Sequence, residues 1–206
     1  MTGGGLVIAT GNAGKVREIR QVLEGVPVTL IGLADLDPIP EPEETGRTFA
    51  ENARAKALYY AAATGRVVVA EDSGLEIDAL EGAPGVLSAR FGGPEASTYP
   101  EKFALIYRLL RERTGNIDSA ARFVCSLAVA RPAARPSGPA EVLFEAAGQV
   151  VGRIVEPPRG AGGFGYDPIF YYPPFAQTLA EVPASRKVEV SHRGQAFRRL
   201  RDYLIA

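Results

Sequence analysis

The sequence predicts a mixed α/β fold whose later part forms an antiparallel second lobe. Three observations predict it. Short β-type runs alternate with helical periodicity up to about Arg113. Strand patterns broken by turn residues fill Ala120 to Val155. No repeat of fixed period runs through the chain.

Leu6-Val7-Ile8-Ala9 is a short apolar strand, and Thr10-Gly11-Asn12-Ala13-Gly14 leads from it into a helix. A Pro- and acid-rich loop spans Asp37 to Gly46, after which Thr48-Phe49-Ala50-Glu51 has the Thr-x-x-Glu form of a capping box. An Ala-rich helix continues to about Ala63. Val67 to Ala70 reads as a buried strand ending at the polar turn Glu71-Asp72-Ser73-Gly74. A third helix, roughly Tyr99 to Arg113, carries Phe103, Ile106, Leu109 and Leu110 on one side. Phe123 to Ala130, Val142 to Ala146 and Gln149 to Val155 then read as hairpin strands. The Pro-rich patch from Arg131 to Pro139 is an exposed tip between two of them. A last helix near Gln195 to Leu204 sets Phe197, Leu200 and Leu204 opposite its arginines.

With 206 residues, 46% of them hydrophobic, the chain can bury a core as one domain, residues 1–206, of two lobes without a separable linker. The formal net charge of -1 leaves no global basic field for nucleic acid, so bound phosphate must be gripped locally. The single cysteine, Cys125, sits in an apolar strand and reads as a small buried side chain. Met1-Thr2-Gly3-Gly4-Gly5-Leu6 lacks a basic, apolar leader, and no stretch is long enough to span a bilayer. A soluble cytoplasmic protein with no membrane partner is the expectation.

Thr10-Gly11-Asn12-Ala13-Gly14-Lys15 opens a helix after a strand, where backbone N–H groups and a positive dipole end face an anion. It fails the Walker pattern, having Ala9 for the first glycine and Val16 for the metal-binding hydroxyl. A phosphate loop and a plain turn fit these six residues equally. Gly160 to Gly165 matches G-x-G-x-x-G, yet turn and strand follow it instead of a helix, so it is no dinucleotide site. Beside it, Phe164, Tyr166 and Asp167 offer an aromatic face and a carboxylate. Glu41, Glu43 and Glu44, with Glu71 and Asp72, are hard oxygen donors of the kind that suit Mg²⁺ completed by substrate phosphates. Ser185-Arg186-Lys187 and Ser191-His192-Arg193 set basic side chains ahead of the last helix, and the lone histidine excludes a multi-histidine metal site. Each cluster by itself fits an ordinary turn, loop or solvated face.

Taken in order, the blocks tell more. Thr10 to Lys15, Glu44-Thr45-Gly46-x-Thr48-Phe49-x-Glu51-Asn52-Ala53, Glu71 to Leu75, Gly82-Ala83-Pro84-Gly85-Val86-x-Ser88-Ala89-Arg90, Gly162 to Pro168 and Ser191-His192-Arg193 resemble the HAM1-like inosine/xanthosine triphosphate pyrophosphatases over nearly the whole chain. The resemblance implies an elongated, two-lobed, mixed-sheet fold, a homodimer, and a cleft between lobes where deaminated purine triphosphates are cut to monophosphate and pyrophosphate. It assigns the triphosphate to Thr10, Gly11, Asn12, Ala13, Gly14, Lys15 and Lys56. Mg²⁺ falls to Glu44 and Asp72, with Glu71 close by, and Asp72 also accepts the proton of the attacking water. Ser73 touches the nucleotide, and Phe164 stacks on the base within a loop that includes Gly165, Tyr166 and Asp167. Lys187, His192 and Arg193 address the purine edge, Arg193 as the reader of the 6-keto oxygen. A guanidinium has donors only, so it suits hypoxanthine or xanthine and leaves adenine's amino group unpaired. Two features depart from the family pattern: Glu71, where many bacterial relatives carry Asp, and the Pro132 to Pro139 tip. A Maf-like pyrimidine pyrophosphatase, a non-catalytic nucleotide sensor and a nucleic-acid-binding module are the rival readings.

Overall fold

A computed structural model describes residues 5–135 and 138–206; the first four residues, and Pro136 and Ser137 of the Pro-rich tip, lie outside the described residues. The chain is mixed α/β, as the patterning predicts. β1 (Leu6–Ile8) enters α1 (Ala13–Val22), and β2 (Leu30–Gly32) precedes α2 (Phe49–Thr64). β3 (Val67–Ile77), α3 (Tyr99–Thr114), β4 (Ala120–Arg131) and β5 (Glu141–Ile154) follow. The chain ends with β6 (Phe170–Tyr172), β7 (Gln177–Thr178), α4 (Ala184–Val190) and α5 (His192–Ile205).

One seven-stranded sheet runs β2-β1-β3-β4-β5-β6-β7. β1 lies parallel to both β2 and β3, with Leu6 opposite Leu30 and Val67. β5 pairs antiparallel with β6, and β6 with β7. Parallel pairing in the N-terminal part needs crossovers, which α1 and α2 supply, and β1 and the Val67–Ala70 stretch of β3 are accordingly apolar.

The chain divides into two compact units. The first comprises Met1–Asp72, Cys125–Gly148 and His192–Ala206; the second comprises Ser73–Val124 and Gln149–Ser191. In the first, Val7, Ala9, Val68, Ala70, Ala128 and Ala130 of the sheet pack with Ala57, Tyr60 and Ala61 of α2. In the second, Phe103, Ile106 and Leu110 of α3 pack with Leu75, Ile77, Phe123, Val150, Ile154 and Phe170.

Several boundaries differ from the sequence reading for physical reasons. β3 does not stop at Ala70 but carries Glu71, Asp72, Ser73 and Gly74 within it. β5 is a single strand through Ala146 to Gly148, where a Cβ on Gly148 would lie 2.2 Å from the carbonyl oxygen of His192. Glycine there admits the start of α5 against the strand. Thr48 caps α2 by accepting from the Glu51 N–H, but the Glu51 carboxylate turns to the Arg47 N–H, so the reciprocal half of the box is missing.

Candidate active site

The first unit brings six predicted residues, Lys15, Glu44, Lys56, Glu71, Asp72 and Arg193, into one charged cluster. Thr10 to Gly14 form the turn into α1, whose N-cap is Asn12. Asn12 Oδ1 accepts from the N–H groups of Gly14 and Lys15 at 2.9 and 3.1 Å, and Thr10 Oγ1 accepts from that of Asn12 at 3.2 Å. Those amides, expected to grip phosphate, are spent on the cap itself. What the turn does present is Lys15, whose ammonium lies 2.8 Å from Glu71 Oε1.

Glu71 is buried, and its Oε1 also receives Arg193 Nη2 at 3.3 Å. Arg193 Nη1 in turn donates to Glu18 Oε2 at 2.6 Å, so Lys15 of α1, Glu71 of β3, Arg193 of α5 and Glu18 of α1 form, in that order, a chain of alternating charge. Burial pushes the Glu71 carboxyl up, but the charges of Arg193 and Lys15 outweigh it and hold the group well below the usual carboxylate range. Burial opposes the charge of Arg193 likewise, and Glu71 and Glu18 reverse that, raising its pKa. The cysteine thiol donates to Glu71 Oε2 at 3.5 Å; burial first, then the Glu71 charge, drive it well up, which makes Cys125 an inert packing group.

Asp72, the next residue along β3, accepts from Asn52 Nδ2 at 2.9 Å. Asn52 Oδ1 accepts from the Gly46 N–H at 2.8 Å, so the loop before α2 fixes the amide that fixes Asp72. A side chain on Gly46 would meet Asn52 Oδ1 at 2.5 Å. Burial raises the Asp72 pKa, overcoming the opposing pull of Lys56 and Asn52. Lys56 Nζ meets Glu44 Oε1 at 2.5 Å. Its burial would favour the neutral amine, but Asp72, Glu44 and Glu71 together raise its pKa instead.

Among the described residues no three His, Cys, Asp or Glu side chains close on one point as a metal-holding group. Mg²⁺ is commonly held by one or two carboxylates with substrate phosphates and water, without an all-protein cage. The donor chemistry fits such an ion, because Glu44 and Asp72 both act on one buried cation position, that of the Lys56 ammonium. Glu71 has its carboxylate committed to Lys15, Arg193 and Cys125.

The second unit holds a separate group. Phe164 stands between Gly163 and Gly165, at φ 69 and 67, and its N–H donates to Asp167 Oδ2 at 2.8 Å. Lys187 of α4 meets the same oxygen at 2.6 Å and lies 4.8 Å from the Phe164 ring centroid. Asp167 thus sets both the aromatic plate and the ammonium over it. Gly163 must be glycine, since a Cβ would also fall 2.1 Å from Asp167 Oδ2. Tyr166, expected at the nucleotide, is instead buried, with its hydroxyl on the Ser88 carbonyl at 2.8 Å and its ring edge-on to Tyr99. Ser73 follows Asp72 in β3, half-buried, and His192 is buried as the first residue of α5.

Asn52 and Glu18 were not among the predicted site residues. Asn52 stands in the motif block Glu51-Asn52-Ala53, but an amide in a helix assigns no role by itself, and Glu18 carries no signal beyond its spacing from Lys15.

The family model described as the Ham1 family matches residues 6–203. A dITP/XTP pyrophosphatase of Thermus thermophilus is 47% identical over 195 residues, covering 95% of this chain and 89% of the relative. One of Geobacter sulfurreducens is 43% identical over 199 residues, covering 97% and 96%. The solved structure of a HAM1 protein from Coxiella burnetii superposes with a TM-score of 0.85 at 37% identity, covering 98% of both chains.

Proposed function

The chain belongs to the Ham1 family, and from that premise we propose that it hydrolyses deaminated purine nucleoside triphosphates, ITP, dITP and XTP, to the monophosphate and pyrophosphate. It is a hydrolase of phosphoric anhydrides that clears non-standard nucleotides from the pool. The observation that carries this reading is the first unit's cluster: two ammonium groups, Lys15 and Lys56, set against Glu44, Glu71 and Asp72.

We assign Glu44 and Asp72 to a divalent cation, Mg²⁺, with Glu71 as the carboxylate that holds Lys15 and Arg193. When bound, the ion offsets charge on the triphosphate and on the departing pyrophosphate. Asp72, oriented by Asn52 and raised in pKa by burial, accepts the proton of a water attacking the α-phosphorus in line. Lys15 and Lys56 face the phosphates, and the Thr10, Gly11, Asn12, Ala13 and Gly14 turn is assigned to them as the element that presents Lys15. Ser73 lies beside Asp72 on β3 and is assigned to the nucleotide. Phe164 supplies the stacking face for the base, its loop shaped by Gly165 and Asp167. Lys187, His192 and Arg193 supply donors to the 6-keto edge; the Glu18 and Glu71 carboxylates hold the Arg193 fork rigid, which sharpens discrimination against a 6-amino group.

We propose further that residues 1–206 act as one functional domain, as a homodimer in the cytoplasm. No described helix is long and apolar enough to cross a membrane. Rates on ITP, dITP, XTP, ATP, GTP, dTTP and UTP, with separate detection of pyrophosphate and orthophosphate, test the activity. Expected are inosine and xanthosine triphosphates first and pyrophosphate as product. Orthophosphate alone overturns the regiochemistry, and preference for dTTP and UTP transfers the chain to the pyrimidine-specific reading.

A further inference from the structure

Lys56 stands in an unusual place for a residue that is to face phosphate. Its ammonium, on the buried side of α2, lies 2.5 Å from Glu44 Oε1, and the charges of Asp72 and Glu71 act on it as well. It therefore holds the position from which the two proposed metal carboxylates are neutralised. A buried lysine among carboxylates is stable only because the charges compensate; a second cation brought to the same carboxylates meets both competition and repulsion.

We propose, resting on the assignment of Glu44 and Asp72 to the divalent cation, that Lys56 is the resident counter-ion of that site and leaves Glu44 when the cation arrives. One cation exchanges for another at Glu44, so the cluster's net charge changes by the difference between a divalent ion and the ammonium moved away. The released ammonium is then turned to the other anion that enters, the triphosphate. Metal and nucleotide are coupled by this exchange: each takes one partner of the Lys56–Glu44 pair, so each lowers the cost of admitting the other. In the nucleotide-free protein the exchange keeps affinity for the bare ion low. It also spares the buried carboxylates from standing uncompensated between turnovers.

The test uses Mn²⁺ alone, without nucleotide, with the free ion followed by electron paramagnetic resonance. Wild type, Lys56→Gln, Lys56→Arg and Glu44→Gln are compared in mildly alkaline buffer. Lys56→Gln is expected to bind Mn²⁺ about tenfold more tightly than wild type. Lys56→Arg, which keeps the charge, stays near wild type, and Glu44→Gln binds more weakly. In unaltered protein, saturating Mn²⁺ is expected to speed acetylation of Lys56 by acetic anhydride, read by mass spectrometry. This arm stands even where Lys56→Gln does not fold. Weaker binding in Glu44→Gln with unchanged or weaker binding in folded Lys56→Gln overturns the exchange and leaves the metal assignment intact. An unchanged Lys56 acetylation rate overturns it too. Unchanged binding in Glu44→Gln overturns both.

Discussion

At the scale of single residues, the site is a matter of which carboxylate is paired to what. Glu71 and Asp72 are neighbours in sequence with opposite environments: two cations hold one ionised, and burial raises the pKa of the other. Two titratable groups pushed apart in this way take different roles, a fixed counter-charge and a proton acceptor. Asp72→Asn is expected to lower kcat by roughly 10²–10⁴-fold with the fold intact, since the amide keeps the shape and loses the basicity. Steady-state rates beside a circular dichroism spectrum check this, and full activity removes Asp72 from the mechanism. Asn52→Ala takes away the group that aims Asp72. Its kcat is expected to fall about 10–100-fold, the cost seen when outer-shell partners of a ligand are lost. A kcat equal to wild type would leave Asn52 a purely structural residue. Lys15, Glu44, Glu71 and Asp72 could be singled out by residue type and place in the sequence, whereas Lys56, inside α2, was named only through the resemblance to the family. Asn52 could not, because an amide in a helix is ordinary until its two partners, Gly46 and Asp72, are seen.

At the scale of elements, the two strands misjudged in length share one cause. Glycine reads as a turn in sequence, yet in β3 and β5 it is the place where another backbone comes close. A Cβ on Gly74 would lie 2.3 Å from Ser88 Oγ and 2.6 Å from the Gly85 carbonyl oxygen. Ser88 Oγ accepts from the Leu75 N–H at 2.9 Å and donates to the Gly85 carbonyl at 2.7 Å, tying the 3₁₀ segment Gly85–Arg90 onto β3. Gly74→Ala is therefore expected to destabilise the protein by about 1–3 kcal/mol through overpacking, measured by denaturant unfolding. A change near zero would mean the segment yields without cost. β2 and α4 went unread for a different reason. β2 spans three residues, and α4 spans seven without a side-chain cap, so neither repeats a period often enough to be recognised.

At the scale of the whole molecule, a formal net charge of -1 and a set of surface arginines paired with carboxylates argue against a nucleic-acid surface. Arg54, Arg122, Arg131 and Arg153 each meet a carboxylate. Weak, nonsaturating binding to duplex DNA in a gel shift is the expected result, and saturable binding at physiological salt would revive that reading. The sequence by itself determined the fold class, the family and the residue types of the chemistry, because periodicity and ordered short motifs are local properties of the chain. Only the tertiary structure decided the partners: that Asn12 takes the N–H groups of Gly14 and Lys15, that Arg193 bridges Glu18 and Glu71, and that Lys56 neutralises Glu44. The reason is physical. Charge energies depend on distance and burial between residues far apart in sequence, 175 positions in the case of Glu18 and Arg193, and no local pattern encodes such a distance.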